Sequence, residues 1–170
     1  MKRKIILLPA LLFFMMPAGQ VLSEENIESA VKFFNAEEYD ESVDILEEIT
    51  EKEPSNTKAW VLLGNSYLKL EKNKKAIKSY NNAIRIDAKN EWAYLGLGHA
   101  YSAMREHSNA IAAYKHAIEI NPRNAEAHYG LGISYDRTVS LTYAFEQYKI
   151  LKTLDKRLAD KLYQQLRGWK

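Results

Sequence analysis

Along most of the chain, apolar side chains return three and four positions apart, the spacing that gathers them on one face of a helix. Trp60, Leu63, Gly64 and Tyr67 form one such run, and Ala76, Tyr80 and Ala83 form the next after a polar break at 71–73. The spacing predicts helices over 25–36, 39–52, 57–70, 73–86, 91–104, 107–120, 125–138, 141–154 and 157–167. Asp87-Ala88-Lys89-Asn90 and Asn121-Pro122-Arg123-Asn124 separate successive helix pairs. Proline and asparagine suit turns and helix starts better than helix interiors.

The pairs recur. Leu63, Leu97 and Leu131 return at one constant offset, and so do Gly64, Gly98 and Gly132, then Tyr67, Tyr101 and Tyr135. The same offset links Ala76, Ala110 and Ala144, then Tyr80, Tyr114 and Tyr148, Ala59, Ala93 and Ala127, and Asn56, Asn90 and Asn124. An eighth column drifts from Trp60 through Tyr94 to His128. One period earlier, Ala30, Phe33, Tyr39, Ser42, Leu46, Ile49, Pro54 and Asn56 make a degenerate first copy. A fixed period of this length marks a repeat array, in which each unit is one helix pair and stacking supplies the core.

The order Trp60, Leu63-Gly64, Tyr67, Ala76, Tyr80, Ala83 resembles the tetratricopeptide repeat family over about residues 24–155. The resemblance implies an all-α, right-handed α-solenoid of four helix pairs and a C-terminal capping helix. The pairs would occupy 24–56, 57–90, 91–124 and 125–156, with the cap and tail at 157–170. Ala88 and Lys156 stand where Pro54 and Pro122 do, and Arg105 and Val139 replace the small residue usual between paired helices. A glycine inside a helix costs about 1 kcal/mol relative to alanine, so Gly64, Gly98 and Gly132 are expected to permit close helix approach. Leu158, Leu162 and Leu166, with Ala159 and Tyr163, place one apolar stripe on the last helix, as a solvating cap requires.

In this family the first helix of each pair lines a concave surface. The register puts Ile27, Val31, Phe34 and Asn35 there from the first repeat, and Lys58, Val61, Asn65, Leu68 and Lys69 from the second. Trp92, Leu95, His99 and Ser102 follow from the third, then Tyr129, Ile133, Asp136 and Arg137 from the fourth. The expected protein-binding set is Val61, Asn65, Leu68, Lys69, Trp92, Leu95, His99, Ser102, Tyr129, Ile133 and Asp136. So many apolar residues on that face are read as anchors free of packing duty. Well-known members grip a terminal carboxylate with lysine and asparagine one turn apart. The matching pairs here are Ile27 and Val31, Val61 and Asn65, Leu95 and His99, and Tyr129 and Ile133, so only Asn65 fits that pattern. An extended or helical partner segment with apolar anchors suits the surface better.

Catalytic chemistry finds no foothold. Gly96-Leu97-Gly98 and Gly130-Leu131-Gly132 lack the third glycine of a nucleotide-binding turn and fall inside helices. The four histidines, at 99, 107, 116 and 128, form no pair at the spacing that places two metal ligands on one helical face. With Cys 0, thiol catalysis, thiolate zinc and disulfide scaffolds are excluded. No enzyme, cofactor or nucleic-acid partner is expected.

The N-terminus changes the picture of where the chain works. Lys2-Arg3-Lys4 precede an uncharged run from Ile5 to Met16 and a small-residue ending at Val21-Leu22-Ser23, the order of a secretory signal peptide. Twelve residues rise only about 18 Å as a helix against a hydrocarbon layer of about 30 Å. Cleavage at Ser23, or at Ala18, is therefore expected rather than anchoring, and membrane attachment would require an uncleaved signal. Charge is split as well. Residues 24–53 hold twelve acids and two bases, a net of −10, while 54–170 hold ten acids and nineteen bases, a net of +9.

Together these features predict a periplasmic or secreted, non-catalytic adaptor that holds a protein or peptide partner for assembly of a bacterial envelope complex. The alternative is a self-associating structural protein built by head-to-tail or groove-mediated contacts. Intact-mass measurement of the protein from its native host is expected to show loss of residues 1–23, or of 1–18. A mature chain still starting at Met1 contradicts the export reading.

Overall fold

The computed structural model describes residues 18–138 and 140–168, with side chains from residue 27 onward. Most of the expected signal segment, Val139 of the fourth inter-helix turn, and the last two residues lie outside the described residues. Helices run in order as α1 (Ala18–Asn35), α2 (Tyr39–Lys52), α3 (Thr57–Lys69), α4 (Asn73–Ile86), α5 (Glu91–Ala103), α6 (His107–Ile120), α7 (Ala125–Arg137), α8 (Leu141–Leu154) and α9 (Lys156–Arg167). No strand occurs among the described residues. The boundaries fall within a residue of those read from the spacing, except that α1 begins at Ala18 and carries the backbone through both expected cleavage positions.

Each helix packs on its neighbour in sequence, and the odd-numbered helices also pack on one another along the stack, as do α3 on α5 and α5 on α7. This is a solenoid. Its buried residues fall into three clusters along its length, and no single centre holds it together.

The recurring columns have distinct physical jobs. Asn56, Asn90 and Asn124 are N-caps whose side-chain oxygens accept from the backbone N–H of Ala59, Ala93 and Ala127 at 3.1, 2.9 and 2.9 Å. A cap of this kind stabilises a helix by about 1 kcal/mol. Asp155 does the same for α9, accepting from Leu158 at 3.0 Å, slightly ahead of the repeat register. At the other end of the first helices, Glu38, Lys72 and Glu106 donate their N–H to the carbonyls of Phe33, Tyr67 and Tyr101 at 2.9, 2.8 and 2.9 Å. That closure needs a left-handed residue just before the donor. Glu37, Glu71 and Arg105 fill the place with φ of 63°, 58° and 60°, where glycine is the usual choice.

The drifting aromatic column is also explained. Trp60 Nε1 donates to the carbonyl of Pro54 at 2.9 Å, and His128 Nε2 meets the carbonyl of Pro122 at 3.0 Å. Where Ala88 replaces the proline, the column carries Tyr94, whose ring lies against His116 at 5.2 Å instead. The ring nitrogen and the turn proline therefore occur together. His128 is buried, with its other nitrogen 2.8 Å from the Gln147 side-chain oxygen.

Glycine governs helix spacing. The Tyr80 ring, with 0% exposure, lies between Gly64 on α3 and Gly96 on α5, and Tyr114 lies between Gly98 on α5 and Gly130 on α7. A Cβ on any of these four glycines would sit closer than 3.0 Å to ring carbons. In the last repeat Gly132 receives Leu162 of α9, which with Ala159 and Leu166 is buried as the cap reading expects. Tyr148 turns to stack on Tyr163 at 5.1 Å. The acidic α2 and basic α4 meet through Lys72 and Asp40 at 3.0 Å and Lys75 and Glu47 at 4.0 Å. Both pairs are exposed, so each contributes at most about 1 kcal/mol.

Gly96→Ala should lower the melting temperature. The added methyl has no free space beside a fully buried ring, and overpacking of about 1–3 kcal/mol exceeds the gain in helix propensity of about 1 kcal/mol. An unchanged or raised melting temperature contradicts the slot geometry.

Candidate functional site

Where the first helices lie side by side, they enclose a groove of about 750 Å³. Phe34 reaches it from α1, and Asn65, Leu68 and Lys69 from α3. His99 and Ala103 line it from α5, and Glu126 from α7. Glu71 and Asn73, from the turn between α3 and α4 and the start of α4, close one end.

The polar groups are fixed from behind by the tyrosines that space the helices. The Tyr80 hydroxyl donates to Asn65 Oδ1 at 2.8 Å, leaving the amide N–H groups of Asn65 for the groove. Tyr114 fills the matching place one repeat on, beside His99. Burial holds both phenols well above their usual range, so they stay protonated. His99 packs against the Tyr114 ring at 5.6 Å and 63°, and its Nε2 lies 3.7 Å from a Glu126 carboxylate oxygen. Burial lowers the pKa of His99, and Glu126 offsets part of that shift.

Of the residues expected here, Asn65, Leu68, Lys69 and His99 come together around the groove. Val61 and Ser102 are half-buried on the same helices, and Trp92 is 59% exposed. Two expectations need correction. Leu95 and Asp136 are buried, at 5% and 7% exposure, and present no surface to a partner. Ile27, at 5%, is likewise core. Tyr129 and Ile133 are half-buried against the cluster formed by α8 and α9, with the Lys161 ammonium 5.1 Å from the Tyr129 ring. The physical reason is shared: each first helix packs on the next, so a position facing the groove also faces a neighbour. These side chains do have a packing duty.

Glu126 and Ala103 were missed, although the signal was present. Glu126 follows Trp92 by one period and Lys58 by two, and Ala103 follows Lys69 by one. Both columns had already been placed on this face.

A second cavity, of about 480 Å³, opens between α2 and α4 over Trp60 and Tyr67. The Tyr67 hydroxyl donates to Glu47, and the Lys75 ammonium lies 4.9 Å from the Tyr67 ring. Two repeats on, Lys115 and Tyr143 flank Tyr135 in the same register, at 5.9 and 5.2 Å. Among the described residues, no three His, Cys, Asp or Glu side chains converge as a metal site requires. None of the described helices is long and apolar enough to cross a membrane.

The groove, the caps and the period converge on one family of repeats. The family model described as TPR repeat matches residues 64–104 and 106–138. These segments are TPR repeats. Solved structures share the fold. MamA from Desulfovibrio magneticus RS-1 superimposes with a TM-score of 0.73 at 21% identity, covering 79% of this chain and 76% of that one. A thermophilic TPR protein of Thermus thermophilus gives 0.73 at 20% identity, over 85% and 82%. The first TPR of Spaghetti (RPAP3), bound to the HSP90 peptide SRMEEVD, gives 0.67 at 24% identity, over 69% and 94%. A comparison with curated protein sequences finds no match.

The half-buried His99 imidazole gives the site a pH signature. His99 has a lowered pKa in the folded chain against about 6.5 when unfolded, so below that pH the unfolded state binds more protons and stability falls. Denaturant melts from pH 7.5 to 5 should lose stability in wild type, less in His99→Gln, and more in Glu126→Gln, which removes the offsetting charge. Equal slopes in all three contradict the assignment.

Proposed function

We propose that the chain is a non-catalytic adaptor that holds a segment of a partner protein in the groove between its first helices, for assembly of a complex in the bacterial envelope. The observation that carries this reading is the groove itself. Four successive first helices contribute to it, and buried tyrosines hold Asn65 by a hydrogen bond and His99 by ring contact. Pre-orientation reduces the ordering cost of binding. Its volume falls within the range of about 300–1,000 Å³ typical of ligand sites. Support also comes from the Spaghetti TPR, a shared fold that holds a peptide. The envelope setting rests on the basic and apolar N-terminal sequence, and it extends to a periplasmic or secreted location.

A second reading, self-association, draws on the opposite charge of the two ends and on Leu141, Tyr143 and Ile150, all exposed on α8. Light scattering on the purified chain separates the two readings.

Ala103 is exposed and lines the groove, so Ala103→Trp fills the groove without disturbing the core. Crosslinking in the native host should recover a partner with the wild-type chain, and with Lys78→Ala on the outer face, but not with Ala103→Trp. Undiminished capture by Ala103→Trp, with an unchanged melting temperature, removes the groove as the binding site.

A further inference from the structure

We infer that the groove selects a partner segment carrying a basic side chain beside an apolar one, with the base lodged between Trp92 and Glu126; this rests on the groove reading above. Trp92 and Glu126 occupy the same position of successive repeats, in the first turns of α5 and α7. Those helices pack against each other, and packed helices lie about 8–10 Å apart. A long basic side chain fits between two such positions. Trp92, at 59% exposure, is the most exposed large apolar residue described. An indole face is the preferred aromatic surface for a cation.

Across the gap the Glu126 carboxylate is 58% exposed, and its near neighbour is His99. Burial keeps that imidazole neutral at pH 7, so the carboxylate retains its charge for a partner. The far end adds a second carboxylate, Glu71, but Lys72, Lys74 and Lys75 stand beside it, so the negative charge open to a partner is that of Glu126. Within the lining itself the cation is Lys69. Lys58 holds the matching position one helix further off, on the other side of Trp92. Phe34, Leu68 and Ala103 supply the apolar surface between the two ends. Beside Trp92 an acidic segment would face the Glu126 carboxylate, whereas a basic one meets complementary charge.

The test uses the full chain and two synthetic heptapeptides that differ only in charge, the acidic SEMEEVD, which is the SRMEEVD held by the Spaghetti TPR with its arginine replaced, and the charge-reversed SKMKKVK. Calorimetry at low salt should show the basic peptide binding at least about fivefold more tightly. Trp92→Ala and Glu126→Gln should each weaken it by about three- to fivefold without moving the melting temperature. Glu126→Lys should reverse the order of the two peptides. Equal or tighter binding of the acidic peptide, blocked by Ala103→Trp, overturns the basic preference and leaves the groove reading standing. Basic-peptide binding that is indifferent to both Trp92→Ala and Glu126→Gln also overturns it. If neither peptide binds even at millimolar concentration, the groove reading falls, and this inference with it.

Discussion

Between α3 and α5 the stack closes on one phenol ring. Tyr80 projects from α4 into a slot whose two walls are Gly64 and Gly96, and neither wall has room for a methyl group. Tyr114 repeats the arrangement between α5 and α7. A helix interior disfavours glycine by about 1 kcal/mol, so the glycines that form these walls need a return. That return is the burial of a large ring against two backbones at once, which sets the distance and angle between successive first helices. The alanine columns at 59, 93 and 127 and at 76, 110 and 144, all with 0% exposure, keep the remaining contacts equally close.

The same rings reach through to the groove. Tyr80 ends in a hydroxyl that must find a partner once buried, and Asn65 supplies it from the groove lining. Tyr114 engages His99 at its ring. Helix packing and the groove lining are therefore coupled in the second and third repeats. A change that loosens Tyr80 or Tyr114 in its slot also frees the groove residue it touches, Asn65 or His99. In the fourth repeat Tyr148 stacks on Tyr163 instead.

The fold was legible because its causes are periodic. Asparagine caps, alanine contacts and glycine slots return once per repeat, and a column is visible without knowing what it does. The groove was only partly legible. A column tells which way a position points, but not what covers it. Asp136 shares its column with the groove residues Phe34 and Leu68 and is buried, as is Leu95 one turn from His99, while Tyr129 and Ile133 lie against the cluster built by α8 and α9. Glu126 shows the opposite failure. It lines the groove, and in the sequence only its column, marked by Trp92 and Lys58, points there. The link between Trp60 and Pro54, and between His128 and Pro122, needed coordinates, since residue type alone does not show an indole or imidazole nitrogen reaching a turn carbonyl.

The dependence of the stack on these slots is tested most directly by a double-mutant cycle between Tyr80 and Gly96. Stability is measured for wild type, Gly96→Ala, Tyr80→Leu and the double variant. If the ring sets the spacing, the alanine methyl should cost far less once leucine replaces the ring, with a coupling of about 1 kcal/mol or more. Additive effects, within about 0.5 kcal/mol, would mean that Gly96 accommodates something other than Tyr80, and the account of helix spacing would fail.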